Sequence, residues 1–338
     1  MQYNDRVVVA IPTFNEAQNI ETVIRTIATE KAELPGLEIA VIDGGSRDET
    51  VAIARRIANE LPFVHVFSHP GEWISAAVNF AAAFWTGKAD VMIRCDAHAH
   101  YPKRFVSRLV KTLHETGAAS VVVPMDSVGR DGFEKAVAWV SDTPMGSGGS
   151  AHRGGHKSGF IDHGHHAAFR LENFVAVRGY DEAFICNEDA ELDCRIRAAG
   201  GKIYLDANIR VDYYPRKTAK ALWKQYFKYG LGRSQTIKRH SESVRLRQVA
   251  VPGHLLFTLF SCMAAAVAHS ALFLAWPMLY LAMLAATSLA VAVKHRSACG
   301  LLAGPAALIM HTAWGLGFLR GFLFLEPSVM VTAIPARS

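Results

Sequence analysis

From Val249 to Val293 the chain runs 45 residues without Asp, Glu, Lys or Arg, and this run limits the available folds more than any other feature. As one helix at about 1.5 Å per residue it would be ~67 Å long, whereas a hydrocarbon core is only ~30 Å thick. It must therefore fold back. A turn near 268–270 gives one span at roughly 249–267 and a second at roughly 271–293. A third apolar stretch, 301–325, is interrupted by Arg320, which can snorkel at a helix end or line a protein-facing groove. A buried soluble helix pair would need a polar stripe, and these stretches have none, so membrane insertion is the expectation. Lys238, Arg239, Arg245 and Arg247 lie just before the first span, and Lys294 and Arg296 lie after the second. Basic flanks stay on the cytoplasmic side, which puts the N-terminal region in the cytoplasm as well.

The opening residues, MQYNDRVVVAIPTFNE, carry no signal-peptide pattern, because their apolar run is short and ends at Pro12. Five cysteines, at 95, 186, 194, 262 and 299, have no zinc-like spacing and read as reduced thiols. The net charge of +6, gathered near the membrane segments, points to anionic headgroups or phosphate-bearing substrates. Nucleic acid is not an expected partner, since no basic recognition helix or aromatic RNA motif is present.

Before the membrane segments, apolar β-branched runs alternate with helical patterns. Strands are expected at 7–11, 37–43, 63–67, 89–96 and 119–124. Helices are expected between them: one with Ile20, Val23, Ile24 and Ile27 on a single face, then 48–59, 74–85 and 103–115. This order means βαβ units and a mostly parallel sheet, with the ligand site at the carboxyl ends of the strands. Polar clusters stand where strands stop. The first strand ends in Pro12-Thr13-Phe14-Asn15-Glu16, the second in Asp43-Gly44-Gly45-Ser46 and the fourth in Asp96-Ala97-His98. An Asp-Gly after a strand is commonly only a turn. Three such clusters in one sheet are gathered by topology into one crevice.

The stretches PTFNE and DGGSRDET, the Asp-x-His after the fourth strand and NEDAELDCR (187–195) together resemble the family 2 inverting glycosyltransferases of GT-A fold. With the membrane segments included, the likeness is to members that assemble bacterial exopolysaccharide repeat units of the succinoglycan type. The resemblance implies a Rossmann-like GT-A domain at 1–216, an interfacial amphipathic helix and basic linker at 217–248, a membrane domain at 249–325 and a tail at 326–338. It also implies a nucleotide site of Pro12, Thr13, Asn15, Glu16, Asp43, Gly45 and Asp96, and a bacterial inner-membrane location facing the cytoplasm.

Asp96 and His98 stand where the family usually has Asp-x-Asp. In an extended segment residues i and i+2 point the same way, so both side chains can reach one cation. Imidazole suits Mn2+ better than Mg2+, so Mn2+ is the expected metal and Mg2+ the alternative. A polar turn in which His98 only bonds Asp96 is the structural alternative, and His100 divides evenly between the two roles. Asn187-Glu188-Asp189 opens a helix with Leu192 and Ile196 facing inward and Gly200-Gly201 at its end. A carboxylate in the first turn is favoured by the helix dipole alone. The resemblance makes Asp189 the general base and Glu188 an acceptor-site residue.

The segment 146–169 is rich in Gly and His and has no hydrophobic period, so it reads as a loop. Its Arg153, Lys157 and several histidines can contact a pyrophosphate. A β-ribbon is expected at 202–213, followed by a helix over TAKALWKQYFKYGLGR with Lys220, Lys224 and Lys228 on one face. A basic amphipathic helix beside a span is an interfacial element. Within it Gln225, Lys228 and Tyr229 resemble the Gln-x-x-Arg-Trp motif of membrane synthases, with Lys-Tyr in place of Arg-Trp and Arg233 to supply the guanidinium. These four are expected acceptor-site residues.

The expected reaction is single-displacement transfer of a sugar, glucose from UDP-glucose with a β linkage, to a polyprenyl-diphosphate-linked saccharide. Membrane lipids and other exopolysaccharide assembly enzymes are the further partners. Short spans argue against a polymer-extruding synthase. The rival is a zinc hydrolase built from His163, His165 and His166, which lacks a His-Glu-x-x-His pattern. A nonenzymatic nucleotide-binding membrane scaffold is the third reading.

Overall fold

A computed structural model describes residues 4–69, 74–148, 155–184, 186–326, 330–332 and 334. In chain order the first half contains β1 (Val7–Thr13), α1 (Ile20–Ala28), β2 (Leu37–Asp43), α2 (Thr50–Glu60), β3 (Val64–Ser68), α3 (Ile74–Trp85), β4 (Val91–Arg94), α4 (Phe105–Thr116) and β5 (Ser120–Val122). It continues through β6 (Met125–Ser127), α5 (Gly132–Ser141), α6 (Pro144–Ser147), β7 (Gly159–Ile161), β8 (His166–Arg170), α7 (Leu171–Ala176) and α8 (Glu188–Ala198). The remainder is β9 (Ile203–Leu205), β10 (Val211–Tyr213), α9 (Ala219–Arg239), α10 (Leu246–Ala268), α11 (Ala275–Lys294) and α12 (Ala303–Phe324).

Eight strands form one sheet in the order β3-β2-β1-β4-β8-β5-β9-β7. The first four in that order are parallel neighbours, with Thr13 opposite Asp43 and Ala10 opposite Arg94. These strands are covered on both faces, which is why they are continuous apolar runs. Side chains alternate across the sheet with period two. Val7, Val9 and Ile11 enter a core with α1, α2 and α4, while Val8 and Ala10 enter another with α3 and α7. Helix α1 buries Ile20, Val23, Ile24 and Ile27, the face its spacing defines.

Two expectations are corrected. The glycine and histidine segment is not all loop: it holds β7 and β8, and β8 runs antiparallel between β4 and β5 in the middle of the sheet. Ala167, Ala168 and Phe169 are buried there. Two alanines in a five-residue strand give too little apolar signal to see in sequence. The ribbon at 202–213 does not form either. β9 pairs with β5 and β7, and β10 pairs with β6, because Ile203 and Leu205 fill the main sheet's core.

The chain divides into two compact units that are discontinuous in sequence. The first comprises Met1–Asp126, Gly155–Asp212 and Val329–Ser338, and the second Ser127–Gly154 and Tyr213–Ser328. Composition suggested contiguous segments instead. The reason lies in α5, a helix not marked out by the sequence reading, whose Val137 and Val140 share a core with Leu222, Tyr280, Leu284 and Met310 of the C-terminal helices. Among the described residues three helical segments, all in the second unit, are long and apolar enough to cross a membrane: Leu246–Ala268, Ala271–Lys294 and Ala298–Phe324.

Candidate active site

The site is built where β1, β2 and β4 end. β1 runs into Asn15, which adopts a left-handed φ of 55°. Its side-chain oxygen accepts from the Arg47 amide at 2.9 Å, and its own amide donates to Ser46 Oγ at 2.9 Å. The Glu16 amide donates to Thr50 Oγ1 at 2.8 Å. The loops after β1 and β2 are thus laced together. Asp43 is buried and accepts from the amides of Gly45 at 3.0 Å and Ser46 at 3.1 Å, closing its own turn. Gly45 sits at a φ of 97°, where a side chain would be strained. Thr13 Oγ1 donates to the Ile42 carbonyl at 3.3 Å, and Pro12 lies beside it on β1.

At the end of β4 the central residue is Arg94, an arginine that is 5% exposed at the close of an otherwise apolar strand. Its Nε donates to Asp96 Oδ1 at 3.3 Å, and its Nη1 reaches Asp189 Oδ1 at 3.3 Å and Glu188 Oε1 at 3.6 Å. Nη1 also donates to Tyr180 Oη at 3.2 Å, and Tyr180 donates to Asp189 Oδ1 at 2.8 Å. His165, two residues before the buried part of β8, completes the group. Its Nδ1 is 3.4 Å from Asp189 Oδ2 and its Nε2 is 3.9 Å from Asp96 Oδ2. Asp96 and Asp189 therefore share two neighbours, Arg94 and His165.

Burial opposes the charge on Arg94, but Asp96, the Tyr180 hydroxyl, Asp189 and Glu188 around it raise its pKa well above the ordinary value. Burial likewise opposes ionisation of Asp96, and Arg94, His165 and His98 outweigh it, holding that carboxyl below its usual range. Glu188 goes the other way. Desolvation and the adjacent Asp189 raise its pKa in spite of Arg94. Glu188 and Asp189 open α8 after Asn187, which is left-handed at a φ of 64°.

His98 is exposed, and its Nδ1 lies 3.0 Å from Glu16 Oε1. A carboxylate on one ring nitrogen fixes the tautomer that presents the other to a metal. A cation ligated by His98 would use Nε2. The expected extended segment does not form: 97–98 make a turn in which the Ala99 amide donates to the Asp96 carbonyl at 3.2 Å. Asp96 bonds Arg94 and His98 bonds Glu16, although carboxylate oxygen and imidazole nitrogen are donors that a divalent cation takes. Among the described residues no group of three His, Cys, Asp or Glu side chains is placed to hold a metal. His100 makes an antiparallel bridge with Asp212. His163 Nδ1 lies 2.8 Å from Asp193 Oδ2 on α8.

The sequence reading singled out neither Arg94 nor Tyr180, and it raised His165 only as a loop histidine for a pyrophosphate or a zinc ion, not as a partner of Asp96 and Asp189. A charged residue ending a buried strand was a visible signal for Arg94, since such residues are buried only when paired. The other two had none, because their partners are distant in sequence. Lys157 is exposed, and Arg153 lies outside the described residues. Gln225, Lys228, Tyr229 and Arg233 all lie on α9 in the second unit. There Gln225 Nε2 donates to Tyr213 Oη at 2.8 Å and Tyr229 Oη at 3.0 Å, and Lys228 is exposed.

A mostly parallel α/β sheet with acidic and polar groups at the carboxyl ends of its strands is the architecture of the GT-A fold. The family model for glycosyl transferase family 2 matches residues 8–177, and the chain belongs to that family. It is 40% identical over 316 residues to succinoglycan biosynthesis protein ExoA of Rhizobium meliloti (strain 1021), covering 93% of this chain and 94% of that one. It is also 33% identical over 106 residues to undecaprenyl-phosphate 4-deoxy-4-formamido-L-arabinose transferase of Pseudomonas syringae pv. syringae (strain B728a), covering 30% of this chain and 31% of that one. Among solved structures, the mannosyltransferase PcManGT of Pyrobaculum calidifontis, in complex with GDP-Man and Mn2+, superposes with a TM-score of 0.65 at 20% identity. The match covers 96% of this chain and 89% of that one, and it shows the same fold.

Proposed function

We propose that this protein transfers glucose from UDP-glucose, with inversion to a β linkage, onto a polyprenyl-diphosphate-linked saccharide at the cytoplasmic face of a bacterial inner membrane. The product belongs to the assembly of a succinoglycan-type repeat unit, in company with other exopolysaccharide assembly enzymes. The observation that carries this reading is the joining of Asp96 to Asp189 through Arg94, at contacts of 3.3 Å on either side. It puts a donor-side carboxylate and a candidate base within one crevice. The near full-length likeness to a succinoglycan biosynthesis protein supports the repeat-unit context. A relative acting on undecaprenyl phosphate supports the class of acceptor.

Asp189 takes the proton from the acceptor hydroxyl as its oxygen attacks the anomeric carbon. Tyr180 and Arg94 hold Oδ1, so Oδ2, beside His165, is the proposed proton acceptor. Glu188 shapes the acceptor side, with Gln225, Lys228, Tyr229 and Arg233 as further acceptor contacts. Pro12, Thr13, Asn15, Glu16, Asp43 and Gly45 receive the uridine. A divalent cation held by Asp96 and His98, Mn2+ before Mg2+, would neutralise diphosphate charge as UDP departs.

The test is to incubate membranes with radiolabelled UDP-sugars and lipid acceptors, with and without Mn2+. Label is expected in the lipid fraction with UDP-glucose, and chelator or Asp189→Asn is expected to abolish it. Transfer that survives both treatments would overturn the mechanism.

A further inference from the structure

The last described residues do not stay with the C-terminal helices. Residues 330–332 and 334 return to the first unit, and they are built into it. The Glu182 amide donates to the Val331 carbonyl at 2.6 Å, and the Val331 amide donates to Asp181 Oδ1 at 2.9 Å. Thr332 Oγ1 donates to the Arg178 carbonyl at 2.9 Å. Ile334 is 1% exposed, in the same core as Val8, Ala77, Phe174 and Tyr180. A core of this kind cannot be divided by a bilayer. Residues on either side of the apolar helices therefore lie on one side of the membrane, and the number of crossings between them is even. Three apolar segments cannot all cross.

A separate observation shows which one does not. Helix α9 carries Lys220, Lys224, Lys228, Arg233, Lys238 and Arg239 along its 21 residues. Over about 30 Å no stretch of it is free of cations for long enough to enter hydrocarbon. With Lys220, Lys224 and Lys228 exposed, α9 belongs at a headgroup surface. Helix α12 runs beside it in the same direction. Gly230 meets the backbone of Trp314, Gly317 that of Phe227, and Gly321 meets Ser234, while Lys238 Nζ donates to the Leu325 carbonyl. Arg320 lies over the Phe227 ring at 5.9 Å. The most apolar window of this segment is 50% buried in protein, against 11% for each of the other two. A helix in backbone contact with an interfacial helix shares its layer.

We infer that the anchor is a two-helix hairpin of α10 and α11, and that α12 lies in the membrane surface beside α9, on the side of the N-terminal unit. The partner of this second element is a lipid surface. Leu308, Leu316, Phe322, Leu323 and Phe324 are its exposed apolar side chains, set against acyl chains, and the lysines of α9 meet anionic headgroups. The inference rests on membrane insertion and is independent of which sugar is transferred.

The test uses full-length Ser270→Cys and Glu326→Cys chains in spheroplasts, treated with a membrane-impermeant maleimide and compared with the parent chain. Ser270→Cys is expected to label in intact spheroplasts, and Glu326→Cys only after permeabilisation. Labelling of Glu326→Cys in intact spheroplasts would overturn the inference, as would protection of Ser270→Cys until permeabilisation. Recovery of the chain in the soluble fraction would overturn membrane insertion itself.

Discussion

Arg94 is one side chain asked to satisfy three carboxylates, and this makes its replacement informative. Removing one partner from a buried ion network leaves the others uncompensated, at about 3–5 kcal/mol. Arg94→Met is accordingly expected to lower the melting temperature sharply. Arg94→Lys keeps the charge but loses the planar fork that spans Asp96 on one edge and Asp189 on the other. It should fold, lose roughly 10–100-fold in kcat and change the donor KM much less. Mn2+ affinity, read by calorimetry without substrate turnover, should weaken in parallel. A Lys variant with normal kcat and normal metal binding would remove Arg94 from the positioning of the site. The contrast with Asp96 and Asp189 shows what sequence conveys at this scale. Those two stand in short motifs with recognisable neighbours, so their types and spacing carry the chemistry. Arg94 is 95 positions from Asp189 and His165 is 69 from Asp96, and only the fold makes those pairs.

Secondary elements were legible where a long period was present. The run Val7–Thr13 and the four-residue face of α1 announce themselves, because burial demands apolar side chains at fixed intervals. β8 was not legible, since a central strand made of His-Ala-Ala-Phe-Arg has small residues where the neighbouring β4 and β5 supply the bulk. The pairing of α9 with α12 was hidden for the opposite reason. Its signal is the absence of side chains, and glycines in an apolar helix look like dilution. A Cβ on Gly317 would overlap the Phe227 carbonyl oxygen, as close helix packing through small residues requires. Gly317→Leu is expected to cost about 1–3 kcal/mol through overpacking and to lower the melting temperature in detergent. Gly253→Ala on α10 provides the control, because a Cβ there meets nothing within 4 Å. If Gly317→Leu melts with the parent chain while Gly253→Ala also does, the two helices are not held by that contact.

At the scale of the whole molecule, the C-terminal segment is linked to the candidate site. The terminal segment docks on 178–184, the stretch that carries Tyr180, whose hydroxyl donates to Asp189 at 2.8 Å. Asn79 on α3 ties the parts together. Its Nδ2 donates to the Tyr180 carbonyl at 2.9 Å, to Glu182 Oε1 at 2.8 Å and to Thr332 Oγ1 at 3.3 Å, and its Oδ1 accepts from the Tyr180 amide at 2.8 Å. Composition marked 326–338 only as a tail, because a few polar and apolar residues after a long apolar helix have no period to read. Ile334→Ala removes a fully buried side chain from this joint, at a cost of about 2–5 kcal/mol. The loss should be local before it is global, since a terminal segment opens more readily than the sheet beneath it. Hydrogen exchange is therefore expected to rise in 178–184 and to stay unchanged in β1 and β2, while kcat falls and the donor KM holds. Unchanged exchange in 178–184 would mean that the terminus is a passenger on the first unit, with Tyr180 held in place by Asn79 and the core alone.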